Sequence, residues 1–232
     1  MHYTGTIWRP PYEAGSLLLE VTAGCTYHQC KFCALYEELP FKFRMSPLED
    51  VEADLRELGR LGYDNISIGV ETGDDESLRF MNKGYQAKDI VEQTHRLDQA
   101  GIGYHFMYLA GLPGAGQGAR GALASAEIFN RTHPRIIGSS MLTIYPSSRL
   151  YQEIQAGAWT EESELEKLEE LKVLIEHLDI PVYFATLGAS NAVWVEGELP
   201  GDRETMLARL EKACQPEREA ALRHYRTNLP HL

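Results

Sequence analysis

Gly24-Cys25-Thr26-Tyr27-His28-Gln29-Cys30-Lys31-Phe32-Cys33 gathers three of the four cysteines of a 232-residue chain into nine positions. Directly ahead, Ser16-Leu17-Leu18-Leu19-Glu20-Val21-Thr22 is a short apolar run that reads as a buried strand. Gly24 then releases the chain into a turn. Thiolates crowded onto one loop need a soft cation or a redox partner to offset their charge. Three of them can hold three corners of an iron–sulfur cubane, leaving the fourth iron without a protein ligand. Such an open corner is a place for a small molecule to bind. Zinc would need a fourth ligand, and usually a second Cys-x-x-Cys pair. His28 lies between the cysteines and Cys214 stands far downstream beside Gln215-Pro216, but no second pair exists. A disulfide would leave one of three neighbours odd, and nothing points to secretion. A cluster is the expectation, with a zinc-stabilised scaffold as the alternative.

Composition narrows the class. Apolar residues make up 44% of the chain, which suits one sizeable core and excludes a mostly disordered polypeptide. No apolar run approaches a membrane span, and Met1-His2-Tyr3-Thr4 lacks the regions of a signal peptide, so a reducing, cytoplasmic setting is expected. A formal charge of −12 argues against a general nucleic-acid binder, because a phosphate backbone would be repelled. Lys31, Lys42 and Arg44 follow the cysteine loop, either as a local basic patch or as ordinary solvated charges.

Strand and helix signals alternate along the rest. Residues 1 to 15, with Trp8, Pro10, Pro11 and Gly15, read as an irregular arm over one end of the fold. Phe41 to Met45 continues as loop or extended chain. Ser46-Pro47 opens a helix, with Glu49 completing a capping box, and Val51, Leu55, Leu58 and Leu61 recur at helical spacing up to Gly62. Asn65 to Glu71 alternates as a strand; a short acidic helix and a longer one, Ala87 to Ala100, follow. Tyr104 to Leu109 is the next strand, running into Ala110-Gly111-Leu112-Pro113-Gly114. A helix over 117–132, a strand from Ile136 to Ile144 ending at Tyr145-Pro146, and acidic helices over 149–156 and 161–178 come next. A short strand from Val182 to Thr186 and helical segments over 202–213 and 216–226 close the chain. The alternation implies a parallel α/β sheet with helices outside it, chemistry gathering at the carboxyl ends of the strands. The expected division is a reduced βα barrel over 1–186 and a mainly helical extension over 187–232.

The cysteine loop, with the aromatic Phe32 just before its last cysteine, resembles the cluster loop of the radical S-adenosylmethionine (radical SAM) enzymes. Four residues, Thr26 to Gln29, separate the first two cysteines, against three in the commonest family spacing. Ile68-Gly69-Val70-Glu71-Thr72-Gly73, with Met81-Asn82-Lys83-Gly84-Tyr85, resembles the fourth strand and following helix of a branch that includes coproporphyrinogen dehydrogenase-like and Elp3-like members. The resemblance implies that Cys25, Cys30 and Cys33 hold a [4Fe–4S] cluster whose free iron chelates S-adenosylmethionine. One-electron reduction by an electron-donor protein would then give a 5′-deoxyadenosyl radical acting on an unknown substrate. Phe32, Glu71, Gly111 and Tyr145 are the implied cofactor-binding residues: Glu71 for the ribose hydroxyls, Gly111 for close backbone approach, Tyr145 against the adenine. Tyr27, Tyr36, His105 and Tyr108 are pocket-lining candidates that on burial tendencies read more readily as core.

The family barrel has six βα units. Between the cysteine loop and Ile66 there is room for one helix only, and each further strand-crossover-strand unit takes roughly 30 residues. Two units are therefore missing, with the glycine-glycine-glutamate segment that grips the amino group of S-adenosylmethionine; the chain contains no Gly-Gly. The expected architecture is an incomplete, TIM-like βα barrel with unpaired edges and an exposed core face. A second copy covering those edges is one expectation. A relative that binds a cluster or metal without cleaving S-adenosylmethionine is the alternative function.

Overall fold

The computed structural model describes residues 1–4, 15–34 and 43–229. The arm residues Trp8, Pro10 and Pro11, the pocket candidate Tyr36, and Phe41 and Lys42 lie outside the described residues. The main sheet takes β3 (Asn65–Glu71), β4 (Gly103–Ala110), β5 (Ile136–Met141) and β6 (Val182–Thr186) in chain order, all parallel. Between them run α2 (Asp75–Phe80) and α3 (Ala87–Ala100), α4 (Gly118–Phe129), then α5 (Arg149–Gln155) and α6 (Glu164–His177). This is the α/β, partial TIM-like arrangement expected from the alternation.

Burial explains the layering. Along β4 the pattern alternates strictly, with Tyr104, Phe106, Tyr108 and Ala110 buried and His105, Met107 and Leu109 half-buried. The buried set faces α4 and α6, where Phe129 packs its ring 5.1 Å from that of Phe106 and edge-on to Tyr108. The other set faces the side that a closed barrel would enclose. Closure fails because β3 is an edge strand: no strand pairs with its free side among the described residues, and Ile66 is 43% exposed. The exposed edge follows from the short distance in sequence between the cysteine loop and β3.

Two expectations need correction. Ser16–Thr22 is not a buried strand: only β1 (Thr22–Ala23) is extended in a ladder, antiparallel to β2 (Arg44–Met45) and apart from the main sheet. Leu17 and Val21 are exposed, since without the intervening units no strand lies beside them. The capping box at Ser46 does not form: α1 (Leu48–Arg60) starts after Pro47 with no side-chain cap, and Ser46 turns to Glu20 at 3.4 Å. Within 187–232 the helices are preceded by one strand. This is β7 (Glu196–Leu199), antiparallel to β6, before α7 (Arg203–Ala213) and α8 (Glu219–Thr227). Val195, Leu199, Met206, Leu210 and Leu222 from this segment share the main core. No helix of the described residues is long and apolar enough to cross a membrane.

Candidate functional site

The cysteine loop sits over the carboxyl ends of the strands because a second, smaller apolar cluster lies there. Met81, Leu112, Leu142, Leu150 and Trp159 are buried together, and Phe32 packs against them from the loop. Phe32 thus acts as the anchor that brings its flanking cysteines to the sheet. Backbone bonds fix the same contact: Lys31 donates its N–H to the Met81 carbonyl at 2.9 Å and accepts from the Leu150 N–H at 2.7 Å. The Lys31 ammonium pairs with Glu153 at 2.6 Å and lies 3.9 Å from the centre of the Phe80 ring.

The turn after α2 forms the other half of the seat. The Tyr27 hydroxyl donates to Asn82 Oδ1 at 2.9 Å, and Asn82 Nδ2 donates to the Gln29 carbonyl at 3.1 Å. Gly84 has φ +80°, and a Cβ placed there would lie 2.7 Å from the Tyr27 ring. Glycine is required on both counts. Gly84→Ala should therefore cost about 1–3 kcal/mol and loosen the loop. The expected result is faster labelling of the loop thiols by a thiol reagent; unchanged labelling rates would mean that Tyr27 does not hold the loop.

Glu71, at the tip of β3, adopts φ 57°, an uncommon backbone for a non-glycine residue. Its carboxylate pairs with Lys83 at 3.2 Å. Lys83 in turn lies 5.4 Å from the Phe32 ring centre and 5.5 Å from that of Tyr85. The Tyr85 hydroxyl donates to the carbonyls of Gly69 and Val70, at 3.2 and 3.0 Å, which braces the strand tip. Burial, then the charges of Glu71 and Cys30, push the Tyr85 phenol far up, so it stays a donor.

All three loop cysteines are free thiols; Cys25 is exposed and Cys30 and Cys33 are half-buried. Burial pushes the Cys30 thiol up, Lys83 pulls it down, and the charges of Cys33, Cys25 and Glu71 push it up further. The charges of the other two thiols, Glu71 and Lys83 are thus all felt at Cys30. The His28 N–H points at Cys25 Sγ, 3.2 Å away, an arrangement suited to a sulfur carrying negative charge. The donor set fits an iron–sulfur cluster: three reduced sulfurs on one loop, one backbone N–H aimed at sulfur, and a cation nearby. Among the described residues no three His, Cys, Asp or Glu side chains stand close enough together to hold an ion, so the loop presents these ligands without gathering them. Cys214 belongs elsewhere, at the end of α7 against Leu165.

The remaining sequence-derived residues divide. Gly111 is buried at the tip of β4, and its N–H is already donated to Glu170 at 2.7 Å. Tyr108 faces the helical layer, with its hydroxyl on Glu170. His105 is half-buried on the open face of the sheet, and burial lowers its pKa. Tyr145 is 37% exposed beyond β5, and its carbonyl accepts from the Ser148 N–H and hydroxyl. A cleft of about 630 Å³ opens beside the loop, lined by Lys31, Arg79, Asn82, Arg149 and Glu153 among others. Sequence reasoning did not assign Lys83, Asn82 and Gly84 to the site, although an Asn-Lys-Gly turn two residues beyond an acidic helix is a signal for a shaped loop.

No family model matches the chain. A tRNA uridine(34) acetyltransferase of Dehalococcoides mccartyi (strain CBDB1) is 27% identical over 64 residues, which are 28% of this chain and 14% of that protein. Among solved structures, the archaeal Methanocaldococcus infernus Elp3 with an N-terminal deletion superposes with a TM-score of 0.50 at 19% identity. The match covers 69% of this chain and 39% of that one, so the chain spans well under half the length of both relatives. The sheet and its flanking helices therefore have the Elp3-like architecture of a partial βα barrel.

Proposed function

We propose that this chain is a radical SAM-type protein in which Cys25, Cys30 and Cys33 hold a [4Fe–4S] cluster beside the tip of β3. The observation that supports it is the seating of a three-thiol loop at the carboxyl ends of parallel strands, with Glu71 and Lys83 adjoining Cys30. When bound, cluster and S-adenosylmethionine supply reductive cleavage of the latter as their chemistry. The chain's own residues do the rest. The thiolates serve as ligands, and Lys83 offsets part of their charge. Glu71 would accept hydrogen bonds from the ribose hydroxyls, and Tyr145 would offer its ring to the adenine. Phe32 and the apolar cluster beneath it exclude water from the inner side of the loop. Gly111 contributes shape rather than a free donor. An electron-donor protein is the required partner, and a reducing compartment such as the cytoplasm keeps the thiols free. The tRNA named for the curated relative is not carried over, because a formal charge of −12 opposes a phosphate backbone.

A second reading is favoured by one observation, the open edge of β3 where two family strands would supply further contacts to S-adenosylmethionine. It is a protein that binds the cluster without cleaving S-adenosylmethionine. Anaerobic purification tests both. The wild type should carry iron and sulfide, and Cys30→Ala should lose most of the iron; normal iron content in that variant would remove the assignment. Zinc without iron or sulfide would replace it with a zinc scaffold. Formation of 5′-deoxyadenosine under dithionite supports the first reading, and its absence from iron-loaded protein supports the second.

A further inference from the structure

Behind the tip of β4 lies a pair of carboxyl groups that the proposed chemistry does not use. Glu162 and Glu170 are both fully buried, and their carboxyl groups are within hydrogen-bonding reach of each other. A Cβ added at Gly118, the first residue of α4, would stand 3.1 Å from both Glu162 oxygens and 3.1 Å from Glu170 Cβ. The two acids therefore fill one space against the start of that helix. Their surroundings differ. Glu170 accepts from the Tyr108 hydroxyl at 2.5 Å and from the Gly111 N–H at 2.7 Å, one donor for each oxygen. Neither oxygen of Glu162 has a donor among the described residues.

Two buried carboxylates side by side repel, and an unpartnered one costs more still. A single proton removes both penalties, and the donor pattern says where it sits. Glu170 has acceptor duties on both oxygens; Glu162 has none, and as an acid it gains a donor to offer. We propose that Glu162 is a neutral carboxylic acid hydrogen-bonded to ionised Glu170, and that the pair positions the Gly111–Gly118 segment under the cysteine loop. Leu112 of that segment belongs to the apolar cluster on which Phe32 rests. The inference concerns the chain alone and stands whether or not a cluster is bound.

The charges facing the pair agree with this placement. From α6 come Glu166, which raises Glu162 further, and Lys167, which lowers it as the smallest of these influences, its ammonium being bonded to Glu161 at 2.7 Å. From β4 comes Tyr108, and from α8 comes Arg223, bonded to the Glu162 carbonyl at 3.2 Å. Burial first, then Glu170, pushes the Glu162 carboxyl up to about 9. Its folded value exceeds its unfolded one, so the native state holds an extra proton between the ordinary carboxylate range and about pH 9. Stability from this group is complete below that window and is lost as pH rises through it.

The experiment compares wild type, Glu162→Gln and Glu170→Gln by denaturant unfolding from pH 5 to 9, with amide exchange at Gly111 and infrared spectra. Gln keeps a neutral donor at position 162. The ratio of unfolding constants, wild type over Glu162→Gln, should rise by about tenfold per pH unit inside the window. Gly111 should stay protected in Glu162→Gln and lose protection in Glu170→Gln, whose amide would set a donor against a donor. The wild-type infrared spectrum should show a protonated-carboxyl band at pH 7 that Glu162→Gln lacks. A ratio independent of pH, no such band, failure of Glu162→Gln to fold, or equal tolerance of both substitutions would each overturn the proposal.

Discussion

Phe129→Ala is expected to lower the stability of this fold by about 3–5 kcal/mol. Phe129 is the last residue of α4, fully buried, and it fills the space between that helix and the buried face of β4. Its ring meets Phe106 at a centroid distance of 5.1 Å and Tyr108 at 6.1 Å, and Tyr104 continues the row beyond Phe106 at 5.4 Å. Truncation removes the transfer free energy of a whole aromatic ring. It also leaves a cavity walled by strand side chains, which cannot collapse without breaking the parallel ladder to β3 and β5. Urea unfolding followed by circular dichroism reads the loss as a fall in midpoint at unchanged slope. A loss below about 1 kcal/mol would mean that the row of rings is not where the core derives its stability.

Arg226→Ala should rank beside it, at about 3 kcal/mol or more. The guanidinium, 5% exposed near the end of α8, spans three elements at once. It donates through Nε to both oxygens of Glu164, at 2.9 and 3.0 Å, through NH1 to the Leu142 carbonyl at 2.8 Å, and through NH2 to Glu161. Removing it strands a buried carbonyl and most of a buried carboxylate, although Lys167 at 3.5 Å and Arg223 at 3.3 Å still reach Glu164. Breaking one partner of such a pair costs more than the pair itself is worth. Arg226→Met should recover part of the loss by packing while leaving the polar groups unpaired. The pH dependence has a definite sign. Burial works against ionisation of Glu161, but Lys167, Arg226 and Arg223 outweigh it and hold the carboxyl below its ordinary value. That stabilisation is complete above the ordinary carboxylate range and is lost as pH falls through the lowered folded value. Arg226→Ala should shrink this acid-side loss. An acid transition identical to that of the wild type would place the anchoring of α8 elsewhere.

The reading of the cysteine loop and the reading of the sheet rest on different kinds of information. Three thiols in nine positions is a local pattern, and so is the strict alternation of Tyr104 to Ala110. The end of α3 was legible for the same reason: Gly101 takes φ +68° at its stop. The seat of the loop was not legible, because Tyr27, Asn82 and Gly84 meet across more than fifty residues of sequence. Tyr108, read more readily as core than as pocket lining, is buried against the helical layer; a tyrosine near a strand end can face either layer until its register is known. Glu162, Lys167 and Glu170 sit in a run of glutamates and leucines that reads as an ordinary amphipathic helix. Only the packing of α4, α7 and α8 around α6 buries them.

By itself the sequence determined the alternation of strands and helices, the parallel course of β3 to β6, and the arrival of three sulfur donors at one turn. These depend on side-chain period and on residues close along the chain. The tertiary structure alone decided that Ser16–Thr22 stays outside the sheet, that β7 returns antiparallel at its far edge, and that charged residues of α6 are buried. Each of those depends on which surface lies opposite, and burial or pairing is a property of two segments that no single stretch encodes.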